Sequence, residues 1–384
     1  MAISERAAFP APKKLLALDG GGIRGIVTIE VLASIEAMLR RELRQPDLRL
    51  AEYFDYIAGT STGAILAAGL AIGMETCELR SFYEECGRAM FTRERFWRRL
   101  TRHKYQSRAL TEKLQEVFGH GTTLGSDSLK TMLMMVMRNA TTDMPWVVSN
   151  NPLAKFNDPS LPECNLRVPL WQLLRATAAA PAYFEPQPIM LADRSFLFVD
   201  GGITAHNNPA FQLFLMATLS PYRLCWPTGE RRMLLVSVGT GHTSNPPLPQ
   251  GGLNLLDHAR QVPAALISAA RHEQDRLCRI FGRCLLGDSL NAEVGNLHGV
   301  PAPGGDKLFT YLRYDVEVTS SHLRNLGLMD VQPNQLSRLD AVEKIASLRC
   351  LGEDLAQQVC PTHYASFLPS ATPHPVPIRA QASG

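Results

Sequence analysis

A five-residue turn, Gly59-Thr60-Ser61-Thr62-Gly63, constrains the fold of this 384-residue chain more than any other feature. The residues before it, 54–58, have the composition of a buried strand, and residues 64–72 have that of a buried apolar helix. A G-x-S-x-G sequence between a strand and a helix is the setting in which a serine is exposed on a sharp turn as a nucleophile. The two flanking glycines suit such a turn, because the strand and the helix nearly touch beside it. We therefore predict that Ser61 is a nucleophile.

A second motif is a glycine loop, Asp19-Gly20-Gly21-Gly22-Ile23-Arg24-Gly25, between a predicted strand (residues 14–18) and a predicted helix (residues 26–43). Successive glycines let backbone N–H groups point into one concavity that binds an anion. One interpretation is an oxyanion hole, formed by the backbone of Gly20, Gly21 and Gly22. The alternative is dinucleotide binding through G-x-G-x-x-G, which requires an acidic residue at the end of the second strand. That strand ends in the serine turn instead, so the sequence favours the oxyanion hole.

The third motif is Asp200-Gly201-Gly202, which follows the predicted strand 196–199. An acidic residue at the end of a strand in an open α/β sheet faces the crevice where ligands bind. A serine hydroxyl is a poor nucleophile until a neighbouring group takes its proton, and Asp200 is a candidate for that base. Two alternatives stay open: an aspartate that only caps a turn, and a Ser–His–Asp triad that uses His206 or His242.

In this order, Asp19–Gly25, Gly59–Gly63 and Asp200–Gly202 resemble the three signatures of patatin-like phospholipases, and residues 178–184 and 207–209 resemble that family too. The resemblance implies a three-layer α/β/α fold with a mostly parallel central sheet. It implies an acyl hydrolase with a Ser–Asp dyad, without histidine, metal or cofactor. By the same resemblance Ser61 is the nucleophile, Asp200 is the base, and the backbone of Gly20, Gly21 and Gly22 stabilises the oxyanion. The supporting residues of the motifs are Asp19, Arg24, Gly25, Gly59, Gly63, Gly201 and Gly202.

The chain divides into four predicted segments. Residues 1–12 are expected to be a flexible arm, and residues 13–300 the patatin-like catalytic domain. Residues 301–360 are expected to be a strand and helix extension packed on the core, with a helix near 336–359. Residues 361–384 contain prolines at 361, 369, 373, 375 and 377, which predicts a disordered tail.

The composition, 45% hydrophobic and 20% charged residues with a net charge of +3, is that of a globular protein and does not indicate DNA or RNA binding. Without a signal peptide or an apolar stretch of spanning length, we expect a cytoplasmic protein that is peripheral at the inner membrane when active. Eight scattered cysteines without a C-x-x-C pair argue against a zinc site. The sequence is compatible with an oligomer.

Residues 88–104 form a basic stretch with interspersed aromatic residues. It is interpreted as a solvated surface, as a docking site for anionic lipid headgroups, or as a pocket for a phosphate-bearing regulator. The third interpretation rests on resemblance, because some bacterial patatin-like proteins are antiphage effectors activated by cyclic dinucleotides. The predicted function is a phospholipase A-type hydrolase of membrane glycerophospholipids, with a cyclic dinucleotide as the expected activator. The alternatives are an ungated lipid esterase and a non-catalytic nucleotide-binding or membrane-binding module.

Overall fold

The computed structural model describes residues 3–90, 107–181, 183–243 and 255–369. Its strands are β1 (Lys13–Leu18), β2 (Tyr56–Thr60), β3 (Met132–Asn139), β4 (Met144–Ser149), β5 (Gln187–Leu191), β6 (Arg194–Asp200), β7 (Met233–Val238), β8 (Gly282–Leu286) and β9 (Phe309–Tyr314). Its α-helices are α1 (Ile3–Ala8), α2 (Gly25–Leu43), α3 (Leu50–Tyr53), α4 (Thr62–Ala71), α5 (Thr76–Met90), α6 (Ser107–Phe118), α7 (Leu170–Thr177), α8 (Ala210–Thr218), α9 (Leu255–Phe281), α10 (Ser320–Asn325), α11 (Pro333–Leu336) and α12 (Ile345–Ala356). No helix in the described ranges is long and apolar enough to cross a membrane.

These strands form one mixed sheet in the order β5-β6-β3-β2-β1-β7-β9-β8, with β4 paired to β3. The pairs among β3, β2, β1, β7, β9 and β8 are parallel, whereas β4, β5 and β6 pair in antiparallel fashion. The parallel strands therefore all end at one edge of the sheet, which we call the carboxyl edge, and begin at the opposite amino edge. Loops that follow parallel strands are brought together at the carboxyl edge.

Both faces of the sheet are covered, which gives the predicted three-layer α/β/α arrangement. In β1 the side chains of Leu16 and Leu18 belong to a large core that includes residues of α2, α4 and α12. The alternate side chains, Leu15 and Ala17, belong to a second core that includes residues of α8. Consecutive residues of a strand point to opposite faces, so a strand buried on both faces needs an uninterrupted apolar run. The mostly parallel fold is confirmed.

The part of the chain after residue 280 differs most from the sequence-based prediction. Strands β5 and β8 were not predicted, and β9 is the strand expected within residues 301–360, whose position the sequence did not locate. The single helix expected at 336–359 is divided into α11 and α12, and the segment between them contains a 3-10 turn, Val342–Lys344. The reason is a tertiary contact: the carbonyl of Leu339 accepts the N–H of Ile23 at 2.9 Å, so this segment covers the glycine loop.

The two ends of the described chain are packed on the domain. Within the segment predicted to be a flexible arm, α1 is held by Arg6, whose guanidinium lies 3.2 Å from the carboxylate of Asp55. Beyond α12, residues Pro361–Phe367 form 3-10 turns in which Tyr364 is fully buried. The remainder of the predicted tail, from residue 370, and residues 91–104 of the basic stretch lie outside the described residues.

Candidate active site

The serine turn connects β2 to α4 in a conformation that few residues adopt. Ser61 has φ 54° and ψ −124°, a strained backbone geometry for a residue with a side chain. A Cβ atom at Gly59 would lie 2.1 Å from the carbonyl oxygen of Gly63, and one at Gly63 would lie 2.2 Å from the carbonyl oxygen of Leu18. Both flanking positions are therefore restricted to glycine, as the sequence motif indicated. The serine side chain is partly exposed at the carboxyl edge.

Asp200 is brought to Ser61 by the way β6 pairs with β3. The end of β2 pairs with β3 at Thr60 and Val136, and the next residue of β3, Met137, pairs with Asp200. Strand β6 thus continues along the same side of β3 at the point where β2 turns away. The Ser61 hydroxyl donates a hydrogen bond of 2.6 Å to Oδ2 of Asp200. Two residues 139 positions apart in the chain are in direct contact.

Asp200 is buried, with 5% of its surface exposed, and among the described residues no cation is paired with its carboxylate. Its second oxygen, Oδ1, accepts the N–H of Gly202 at 2.7 Å. Burial raises the pKa of Asp200 to about 6, although the bonds from Ser61 and Gly202 lower it in part. The group is therefore a stronger base than an exposed aspartate, yet it remains mostly ionised at neutral pH.

The glycine loop lies next to the serine turn and offers N–H groups to an anion. Gly20 donates its N–H to the carbonyl of Asn207 at 3.1 Å, and the Asn207 side chain donates back to the carbonyl of Gly20 at 3.3 Å. Within the described residues, no acceptor is bound to the N–H groups of Gly21 or Gly22. Of the three glycines expected in the oxyanion hole, Gly21 and Gly22 therefore have N–H groups available, and Gly20 has its own already engaged.

Arg24 and Gly25 support this loop rather than face outward. The Arg24 guanidinium donates to the carbonyls of Gly21, at 3.2 Å, and Gly241, at 3.0 Å. Burial lowers the pKa of Arg24 to about 10, with a further contribution from Arg271, so it stays charged at neutral pH. A Cβ at Gly25 would lie 2.4 Å from a methyl carbon of Thr62, which explains why the start of α2 is a glycine.

Asp19, at the start of the glycine loop, is clamped by an arginine from β9. Two nitrogens of Arg313 donate to the two Asp19 oxygens at 2.9 and 2.6 Å, and both side chains are buried. Arg313 also bonds Asp315 at 2.8 Å. Burial alone would lower the pKa of Arg313, but the two carboxylates raise it above its ordinary value. Arg271 also pairs with Asp315 at 2.8 Å, so two cations and two carboxylates form a buried ion network behind the loop.

Neither histidine considered for a triad is the partner of Ser61. The backbone carbonyl of His206 accepts the Thr60 hydroxyl at 2.7 Å, whereas its ring is half-buried and burial lowers its pKa. The Nδ1 of His242 lies 3.4 Å from the carboxylate of Asp315, on the far side of the glycine loop. In the described part of the chain, the Ser61 hydroxyl bonds Asp200 and not an imidazole.

Three residues of the site were given no role by the sequence analysis. Thr177, at the end of α7, accepts the N–H of Ser61 at 2.9 Å and donates to the carbonyl of Val136. Asn207 pairs with Gly20, and its Asn-Asn-Pro setting was a signal that could have identified it. Arg313 clamps Asp19, but no sequence motif indicated it, because the strand expected within residues 301–360 was not located along the chain.

A family comparison places the chain among known proteins. The family described as "Patatin-like phospholipase" matches residues 16–214, slightly more than half of the chain. This range contains the serine turn, the glycine loop and Asp200. The chain belongs to the patatin-like phospholipase family. Arg313 and Asp315 lie beyond the matched range, so in this patatin-like chain the clamp on Asp19 comes from outside the part that defines the family.

Several patatin-like relatives are similar to the chain over about three fifths of its length. A "cGAMP-activated phospholipase" of Escherichia coli is 31% identical over 62% of this chain and 65% of its own. A protein with the same description from Pseudomonas aeruginosa is 36% identical over 59% of this chain and 62% of its own. "Patatin-like protein 1" of Oryza sativa subsp. indica is 31% identical over 63% of this chain and 62% of its own. The chain thus spans less than two thirds of the length of these relatives.

Proposed function

We propose that this protein is a lipid acyl hydrolase of the phospholipase A type, which cleaves fatty-acyl esters of membrane glycerophospholipids. The observation that carries the proposal is the 2.6 Å hydrogen bond from the Ser61 hydroxyl to the buried carboxylate of Asp200. Family membership supports it, since the relatives include proteins described as phospholipases. A nucleophile in contact with a base, next to free N–H donors, is the arrangement that acyl transfer requires.

The reaction follows from these positions. Ser61 Oγ attacks the ester carbonyl while its proton passes to Asp200 Oδ2, and the carbonyl oxygen takes up the negative charge. The N–H groups of Gly21 and Gly22 donate to that oxyanion; donors of this kind are worth about 10²–10³ in rate. Asp200 then protonates the departing alcohol. A water molecule, deprotonated by Asp200, attacks the acyl-enzyme, and the fatty acid leaves as Ser61 regains its proton.

Exposed apolar side chains near the carboxyl edge suit a substrate that lies in a membrane. The β5–β6 hairpin extends past this edge, because β6 reaches β3 only with its last residues. Its Met190 and Leu197 are 60% and 47% exposed, and Ile203, just after Asp200, is 39% exposed. Exposed apolar groups beside a site are typical of contact with lipid. The proposed location of the active protein is therefore the cytoplasmic face of the inner membrane, in peripheral contact with it.

Activation by a cyclic dinucleotide, as part of antiphage defence, completes the proposed function. It is supported by bacterial relatives described as "cGAMP-activated phospholipase". Gating has a physical advantage, because an ungated enzyme of this kind would hydrolyse the lipids of its own cell. The alternative is an ungated lipid esterase, which has the same Ser61–Asp200 pair and no response to a nucleotide.

The test combines lipid release with chemical labelling. Purified protein is incubated with phosphatidylglycerol–phosphatidylethanolamine vesicles, with and without cGAMP, and released fatty acids are identified. Wild type is expected to release fatty acid and to label with a fluorophosphonate, whereas Ser61→Ala is expected to do neither. Asp200→Asn is expected to lose about 10³-fold in rate, the scale for removing a general base. His206→Ala and His242→Ala are matched controls and should stay active.

Each part of the proposal has its own contradicting result. Near-full activity of Asp200→Asn, with loss in either histidine variant, would replace the dyad by a triad. Release that is equal with and without cGAMP would identify the ungated esterase. A wild-type chain that neither labels nor releases fatty acid would leave only a binding module.

A further inference from the structure

A cavity of about 670 Å³ opens at the amino edge of the sheet, opposite Ser61. It lies where β1 begins, just before β2 and β3 begin, and beside α1. Five of its lining side chains are cationic and two are acidic; the cations are Arg6, Lys13, Lys14, Arg49 and Lys130. A concave surface with one excess sign of charge concentrates ligands of the opposite sign. The cavity therefore favours an anion.

Three of the cations are already engaged with the protein. The Arg6 guanidinium bonds Asp55 and the carbonyls of Ala51, Glu52 and Phe54. Lys13 donates to two carbonyls of α1, and Arg49 pairs with Glu75. These cations hold the walls of the cavity in place.

Lys14 and Lys130 have donor capacity left. The nearest acceptors of Lys14 Nζ are the carbonyl of Pro12 at 3.5 Å and Asp55 at 3.9 Å, both long for a charged group. Burial lowers the pKa of Lys14, although Asp55 raises it in part. Lys130 is exposed and makes one 3.3 Å bond, to the carbonyl of Asp127. Lys14 Nζ also lies 5.2 Å from the centre of the Tyr53 ring, a contact that uses none of its N–H donors on an oxygen acceptor. Both ammonium groups can therefore donate to phosphate oxygens.

Phe9 adds an aromatic surface to the same cavity. It lies between α1 and β1, and 52% of its surface is exposed. Bases of nucleotides stack on exposed aromatic rings, whereas their phosphates bind lysine and arginine. A cationic cavity with an exposed ring thus matches a nucleotide better than it matches inorganic phosphate alone.

We propose that this cavity, lined by Phe9, Lys14 and Lys130, is the binding site of a cyclic dinucleotide. The proposal rests on the function given above, in which such a ligand activates the enzyme. Two phosphodiesters supply the negative charge, and two bases supply planar faces for Phe9. The site is at the opposite end of β1 and β2 from the glycine loop and Ser61, so it leaves the substrate's path free.

Direct binding tests the site independently of catalysis. Titration calorimetry of the full chain is run with cGAMP, with inorganic phosphate and with phosphatidylglycerol vesicles. In the double variant Lys14→Gln/Lys130→Gln, cGAMP affinity is expected to fall about tenfold or more, because two charge-assisted hydrogen bonds are lost. In Phe9→Ala it is expected to fall about fivefold, the lower scale for a lost stacking contact.

Lys155 and Phe156 offer a matched control, since they are an exposed lysine and a half-exposed phenylalanine away from the cavity. Lys155→Gln and Phe156→Ala should leave cGAMP affinity unchanged. Fluorophosphonate labelling of Ser61 without nucleotide, and the melting temperature, should be the same in all variants. If labelling fails while cGAMP binds at the cavity, the proposed function is wrong and the binding site stands.

Three results would overturn the site. The first is cGAMP binding that is equally tight in wild type and in the cavity variants. The second is no cGAMP binding to wild type at millimolar concentration. The third is vesicle binding that depends on Lys14 and Lys130 in the absence of any cGAMP binding, which would assign the cavity to a lipid headgroup.

Discussion

Two buried aspartates at the carboxyl edge have opposite surroundings. Asp19 is clamped by Arg313 through two hydrogen bonds, within a network that also includes Asp315. Within the described part of the chain, the partners of Asp200 are the Ser61 hydroxyl and the Gly202 N–H. The first carboxylate is neutralised by a cation and holds a loop. The second is left without one, so burial raises its pKa to about 6.

This difference separates a structural carboxylate from a basic one. Burial raises the pKa of Asp19 as well, but the bound guanidinium of Arg313 opposes that effect because it stabilises the ionised form. Without the cation, the same burial makes the ionised form costly and the carboxylate a better proton acceptor. The buried, unpaired charge of Asp200 is thus expected to lower the free energy of unfolding, whereas the ion network around Asp19 is expected to raise it. The predictions below follow this contrast in order of expected effect.

Removing the clamp should have the largest effect on stability. Arg313→Met leaves Asp19 buried without its cation, and breaking one side of a buried pair costs about 3–5 kcal/mol. We expect this loss in urea unfolding, together with slower fluorophosphonate labelling as the glycine loop loses its support. In Arg313→Met/Asp19→Asn the charge of Asp19 is also removed and Asp315 keeps its 2.8 Å pair with Arg271, so most of the stability should return. Wild-type unfolding of the single variant would show that the clamp contributes nothing.

Replacing Asp200 is expected to have the opposite effect on stability. Asp200→Asn should be more stable than wild type at pH 7 by up to about 3 kcal/mol, from a pKa raised from 3.8 to about 6. The raised pKa means that the folded state binds the proton before the unfolded state does. The advantage of the variant should therefore shrink as the pH falls from about 6 to about 4. A variant less stable than wild type at pH 7 would contradict the account.

The pKa of Asp200 also sets the acid limit of the reaction. The base must be ionised to accept the Ser61 proton, so the labelling rate should be about tenfold lower at pH 5 than at pH 7, with a midpoint near 6. The profile is measured with a fluorophosphonate at constant ionic strength. His206→Ala and His242→Ala should keep the same midpoint. A midpoint near 4 would mean that Asp200 behaves as an ordinary exposed aspartate.

The smallest effect on the labelling rate is expected at Thr177, which positions the serine turn and takes no part in the proton transfer. Thr177→Val preserves the shape but removes the acceptor of the Ser61 N–H. Labelling should slow about threefold, the scale of one lost neutral hydrogen bond. The midpoint of the pH profile should not move, because Asp200 is untouched. Thr177→Ser, which keeps the hydroxyl, should label at nearly the wild-type rate.

The local motifs of the site could be predicted because their reasons are local. Gly59 is required by the turn itself, because a Cβ there would meet Gly63 four residues later, and successive glycines favour a loop whose backbone N–H groups bind an anion. Continuous apolar runs likewise predicted β1, β3 and β7, since strands buried on both faces need them. Strand β9 was harder to locate from the sequence, because this fully buried strand, Phe309–Tyr314, contains the charged residue Arg313. Only its partner Asp19, in a distant loop, makes that charge tolerable.

The sequence by itself determined which chemical groups are present: a strained serine turn, a loop of free N–H groups and an aspartate at the end of a strand. The tertiary structure decided which of them meet. Register between β3 and β6 places Asp200, and neither histidine, against Ser61. Burial then decides how basic that carboxylate is, and the presence or absence of an arginine separates it from Asp19. Contacts and burial depend on residues far apart in the chain, so no local pattern could specify them.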